Sequence, residues 1–158
     1  MADLTTNTGI FSGDTSVVDS TEKHPLGTRA FDTDGNEYIY LLGVADTELG
    51  TWVNFDEDHV TTRLLTNAVG RVGVAMAATI ACTYGWYQIY GHVATALAIT
   101  DGDCAANVQL YTTSTAGSVD DVDTDPILGA ISRVAETTTA GYIEAEINFP
   151  FVMNAAID

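Results

Sequence analysis

The sequence predicts an all-β fold: a single-domain antiparallel β-sandwich or barrel, preceded by an extended N-terminal arm. Three observations predict it. Short runs of strand character recur along the chain, glycine-, aspartate- and asparagine-rich turns separate them, and no stretch sustains helical periodicity. With 158 residues and 46% hydrophobic side chains, the chain can bury a core without metal or disulfide staples. No linker divides residues 25–158, which read as one β-rich core domain, with residues 1–24 as the arm.

The arm is rich in Thr, Ser, Asp and Asn, and Ile10, Phe11, Val17 and Val18 are its apolar anchors. So few apolar side chains build little core, which leaves two readings: a disordered tail, or a segment that orders on a neighbouring subunit. Past Pro25 and Gly27, two strand-like runs flank Asp32–Asn36, and the Asp34-Gly35 step supplies the positive φ of a tight hairpin. Calcium is a second reading of this acidic loop. An EF-hand, however, spreads its ligands over about twelve residues between helices, and this loop closes directly into a strand. In that strand Tyr38, Tyr40 and Leu42 alternate with Glu37, Ile39 and Leu41.

Thr51–Phe55 reads as the next strand and ends in Asp56-Glu57-Asp58. His59 beside those acids reads as part of a solvated loop, because no second histidine stands at ligand spacing; His24 and His92 are equally isolated. Val69–Met76 alternates as a strand, with glycines that suggest a bulge or close backbone approach. Ala77–Cys82 reads either as a helical turn or as more strand. Cys82 is expected to be a small buried side chain, and the spacing leaves its pairing with Cys104 open.

Tyr84–Thr100 is the central stretch and carries no Asp, Glu, Lys or Arg. At period two, Trp86, Gln88, Tyr90 and His92 share one face, while Tyr87, Ile89 and Val93 share the other. That pattern predicts a strand covered on both sides, turning at Gly91 or beyond into a second one. Its aromatics read as core or subunit-interface packing, so Trp86, Tyr87, Tyr90 and His92 join Ile10, Phe11, Val17 and Val18 as candidate interface residues. The polar residues and glycines that interrupt Val72–Ile99 argue against a bilayer span.

Thr100–Asp103 repeats the Asp-Gly turn, and Asn107–Thr113 is a further strand. Residues 115–124 form an acidic loop, for which a solvated surface is the plainer reading and calcium the sharper one. Pro126 ends that loop, and Ile127–Val134, Gly141–Phe149 and a Pro150-terminated C-terminal piece complete the strands.

Five Lys and Arg against twenty-two Asp and Glu give a net charge of −17. Nucleic acid and anionic membrane surfaces repel such a chain, so neither is expected as a partner. Walker loops, GxGxxG, HExxH and GxSxG are absent from the sequence, and no Cys–His pair carries a local catalytic signature. The expectation is therefore a protein without enzymatic activity, cofactor or metal. The beginning MADLTTNTGIF lacks the basic and apolar regions of a secretion signal, which predicts synthesis and assembly in a cytoplasm.

The segments LGTRAFDTDGNEYIYL, VGRVGVA, YGWYQIYGHVATA and TTSTAGSVDD followed by ILGAISR resemble motifs of the capsid decoration (cement) proteins of tailed bacteriophages. The resemblance covers residues 26–150. It implies a small structural protein of the virion that binds the major capsid protein on the capsid exterior. Such proteins commonly act as homotrimers and stabilise the shell against internal DNA pressure, with no catalytic residues to carry over. The alternative is a carbohydrate-binding β-sandwich or virion-surface adhesin, with Trp52, Trp86 and the tyrosines stacking on sugar rings.

Overall fold

A computed structural model of the protein describes residues 13–99, 104–122, 124–135 and 141–153. Within them the fold is all-β and has no helix. Its strands are β1 (Arg29–Phe31), β2 (Glu37–Leu42), β3 (Trp52–Phe55), β4 (Thr61–Arg63), β5 (Gly70–Ala75), β6 (Tyr84–Leu97), β7 (Gln109–Thr112), β8 (Val119–Asp120), β9 (Pro126–Val134) and β10 (Tyr142–Val152). All ten form one antiparallel sheet in the order β1-β2-β6-β5-β10-β9-β7-β8, with β3 joined to β5 and β4 to β3. The sheet curls but does not close, so the barrel alternative falls and a sandwich-like fold stands. Where its far ends approach, only single backbone bonds cross: Trp52 N–H to Gly117 O (2.9 Å), Gly117 N–H to Leu64 O (2.8 Å) and Thr66 N–H to Thr113 O (3.0 Å).

The curl creates three apolar clusters. The largest gathers Trp52, Val72, Val74, Val93, Leu110, Ile127 and Ile147, from strands distant in the sheet order. A second holds Ile39, Leu41, Val53, Phe55, Tyr87 and Ile89. On the opposite face of β1, β2 and β6, Ala30, Tyr38, Tyr40 and Trp86 form the third.

Strand β6 is the hub, and it changes partner along its length. Residues 84–90 pair with β2, residues 87 and 88 also pair with β5, and residues 90–97 pair with β10. The change falls at Gly91, whose φ is +100° and whose Cβ, were there one, would collide with Asn36 Oδ1. Only glycine fits that conformation and that approach. The kink would orphan carbonyls, and the buried Gln88 side chain satisfies two, donating from Nε2 to Tyr90 O (3.1 Å) and His92 O (3.0 Å). Asn36 Oδ1 accepts the His92 N–H at 2.9 Å. Tyr84–Leu97 is thus one bent strand, and the expected second strand past Gly91 is its continuation. Two-sided burial holds for Gly85–Ile89 only.

Strand β10 has a matching irregularity at Phe149 (φ +45°) and Pro150, where its register against β9 jumps between Ile147 and Phe151. A proline lacks the ladder N–H and is tolerated at such a break, so the strand passes through Pro150 instead of ending there. Pro126 likewise begins β9. Ala77–Cys82 is neither helix nor strand but a turn-rich connection, anchored by a 2.8 Å hydrogen bond between the Thr79 and Tyr87 hydroxyls. Cys82 is exposed in that connection at φ +64°, not buried; Cys104 is buried, and the two are not bonded to each other. The expected turn at 100–103 lies outside the described residues.

Candidate interaction face

The Asp32–Asn36 hairpin forms as expected between β1 and β2, with Gly35 at φ +88°. The Asp32 carboxylate accepts from the Asp34 and Asn36 N–H groups (both 2.9 Å), Asn36 Nδ2 (2.7 Å) and the Tyr38 hydroxyl (2.8 Å). Burial pulls the Asp32 pKa up, but the hydrogen bonds from Asn36, Tyr38 and Asp34 outweigh it and hold the carboxyl below its ordinary range. Asp125 accepts the Asn67 N–H at 2.6 Å and Asp121 accepts the Ala105 N–H at 2.8 Å. Among the described residues no three His, Cys, Asp or Glu side chains converge to hold a metal ion. His59 is half-buried in an otherwise exposed acidic loop, with its ring against Phe55 (centroids 6.5 Å apart).

The described part of the arm orders on its own chain. Asp19 and Tyr84 exchange two backbone hydrogen bonds of 2.9 Å, and the Tyr40 hydroxyl donates to Asp19 Oδ2 at 2.7 Å. The His24 ring packs on Tyr40 and Trp86, with centroids 5.1 and 5.3 Å away. This strap covers the third cluster. Burial, then the hydrogen bond to Asp19, pushes the Tyr40 pKa up to about 12. Val17 and Val18 remain exposed on the strap, whereas Ile10 and Phe11 lie outside the described residues.

Two other candidate interface residues prove to be core. Trp86 is buried under the strap and Tyr87 within the second cluster, where burial raises its pKa. The doubly covered half of β6 leaves them no surface to offer. Trp52 is also wholly buried, so neither tryptophan can stack on a sugar ring. His92 is exposed and pairs with Glu144 (3.0 Å), beside the Arg133–Glu146 pair (2.7 Å), not with an aromatic partner.

Tyr90 lies elsewhere than period two predicts. The bulge sets Tyr90 opposite Glu37, and Glu37 lies opposite Phe31. Cross-strand partners share a face, so Phe31, Glu37 and Tyr90 form one row. The Phe149 ring meets Tyr90 (5.3 Å between centroids), and the Arg29 guanidinium lies over Phe149 at 5.7 Å while bonding Glu37 Oε1 at 2.9 Å. Phe31, Tyr90, Phe149 and Phe151 are each between 36% and 48% exposed.

Beside this row, Arg71 lies 4.6 Å over the Phe55 ring and donates to Asp56 O at 2.5 Å. An apolar slot of about 80 Å³ runs between the arginines over Val72, Ile89 and Pro150. A wider mouth of about 400 Å³ adjoins it at Phe55 and Arg71 and is rimmed by Asp56, Glu57, Val69 and Phe151. Two of the chain's five basic residues thus stand on one aromatic face. Sequence reasoning missed Arg29, Phe31, Arg71, Phe149 and Phe151. The signal was present as Arg29-x-Phe31, an i, i+2 pair that a strand presents on one side, and as the two phenylalanines flanking Pro150.

No protein-family model, curated protein or solved structure matches the chain. Among the described residues no helix is long and apolar enough to cross a membrane.

Proposed function

We propose that the chain is a structural virion protein that binds the outer surface of a phage capsid and stabilises the shell as a homo-oligomer, with the major capsid protein as partner. The observation that carries this reading is the arginine-flanked row of Phe31, Tyr90, Phe149 and Phe151 on a chain of net charge −17. Aromatic residues and arginine are the side chains enriched at protein–protein contacts, and Asp and Glu are depleted there. The acidic remainder of the surface repels DNA and disfavours indiscriminate association, which concentrates binding on this face. The exposed Val17 and Val18, continuous in sequence with Ile10 and Phe11, give the arm a separate apolar contact for the shell.

The test is co-sedimentation of the purified protein with expanded, DNA-filled capsids. Saturable binding and a higher temperature of DNA release are expected. Failure to bind shells at micromolar concentration sinks the reading.

A further inference from the structure

We propose that the slot between Arg29 and Arg71 receives the Asp121–Val122 tip of a second copy, so that copies join head to tail. This deepens the homo-oligomer part of the function proposed above and rests on it.

The slot's chemistry selects its occupant. Its walls are Phe55, Val72, Ile89, Phe149 and Pro150, and the two guanidinium groups stand on the rings at its edges. A slot of about 80 Å³ admits a small branched aliphatic group. The fitting ligand is an aliphatic side chain with a carboxylate beside it, the carboxylate meeting arginine N–H donors.

The chain displays that combination itself. Val122 is 58% exposed beyond β8, and its neighbour Asp121 has its carboxylate oriented by the Ala105 N–H. Arg29 is already paired with Glu37, which leaves Arg71, bonded to a backbone oxygen, to meet an incoming carboxylate; Asp56 and Glu57 rim only the wider mouth.

A chain's own tip does not reach its own slot. Val119, two residues before Asp121, accepts the Ile99 N–H past the far end of β6, whereas the slot lies at Ile89 and Phe149. Val122 lines a separate recess with Ile99 and Asp120, and the slot's lining does not include it. Donor and acceptor are different patches, which makes the contact heterologous; repeated, it gives a ring where the rotation closes and a filament where it does not.

The experiment is native mass spectrometry and sedimentation velocity on the full chain, without capsids. Wild type should form an oligomer that weakens with salt. Val122→Lys, at the tip, and Arg71→Glu, in the slot, should each weaken association at least tenfold. Mixing the two variants should restore heterodimers, because one intact tip then meets one intact slot. Val69→Glu, a substitution at an exposed position on the mouth, replaces Arg71→Glu in the mixture if the latter lowers the melting temperature. A monomeric wild type, undiminished association of Val122→Lys, or a mixture that stays monomeric would each overturn the proposal. A monomer that still binds capsids removes this contact but leaves the capsid reading standing; an oligomer that ignores capsids does the reverse.

Discussion

The two faces of β1, β2 and β6 both carry aromatic rings and are finished in opposite ways. One face presents Tyr38, Tyr40 and Trp86 and is sealed by the strap through Asp19 and His24. The other runs from the buried Ile39, Tyr87 and Ile89 out to Phe31, Tyr90 and Phe149, where cover stops. Residue type explains part of the contrast. A buried tyrosine hydroxyl needs a partner, and the sealed face supplies Asp32 to Tyr38 and Asp19 to Tyr40. Phenylalanine needs none, so the rings of the open face can be covered by any apolar surface that arrives. A polar strap with one histidine ring seals this face together with the hairpin: the strap holds the Tyr40 hydroxyl and Asp32 holds that of Tyr38.

Trp86→Ala breaks the sealed side of this comparison and should have the largest effect. Emptying the space under His24 and against Tyr40 should cost about 3–5 kcal/mol in denaturant unfolding. A loss below about 1 kcal/mol would mean that the strap does not seal a core.

Gly91→Ala tests the kink that carries Tyr90 to the open face. Its φ of +100° and the contact with Asn36 predict a loss of about 1–3 kcal/mol. Adding Asn36→Ala should cost less than the sum of the two single changes, since the clash disappears while the backbone strain stays. Strict additivity would show that Asn36 does not define the bulge.

Asp19→Ala should remove a charge-assisted hydrogen bond and cost about 1–2 kcal/mol. The same bond has a pH signature. Tyr40 holds its proton up to about 12, against about 10 for an ordinary tyrosine. Its folded pKa is raised, so its contribution is complete below about pH 10 and is lost as pH climbs through about 12. Phenolate absorbance should show a late-titrating tyrosine that moves to lower pH in Asp19→Ala. An unmoved titration would detach Tyr40 from the strap.

Phe31→Ser should matter least for folding and most for association. At an exposed position of a three-residue strand it should change stability by no more than about 0.5 kcal/mol. Oligomerisation should weaken in the same variant. A large stability loss with intact assembly would invert the assignment of the two faces.

Much of this fold is legible in the order of its residues. Period-two patterning and the Asp34-Gly35 step are local signals, and the hairpin, the strand around Trp52–Phe55 and the β5 alternation all follow from them. The errors of local geometry cluster at breaks in the strands. Tyr90, His92, Pro150 and Cys82 sit at or beside residues with positive φ or register breaks, where periodicity stops counting correctly. A bulge inserts one residue and turns every later side chain to the other face. Burial of Trp86 and Tyr87 was open to either reading because a strand apolar on both sides looks the same whether its own chain or a neighbour covers it.

The class of fold, the hairpin, the acidic surface and the aromatic weight of Tyr84–Thr100 follow from the sequence alone, because each depends on composition or on neighbours a few residues apart. Which rings are sealed follows from tertiary contacts instead. That outcome rests on a strap crossing from Asp19 to Tyr84, on Gln88 and Asn36 holding a kink at Gly91, and on Arg29 meeting Phe149 across the sheet. Those contacts join residues up to 120 positions apart, and local patterning carries no record of them.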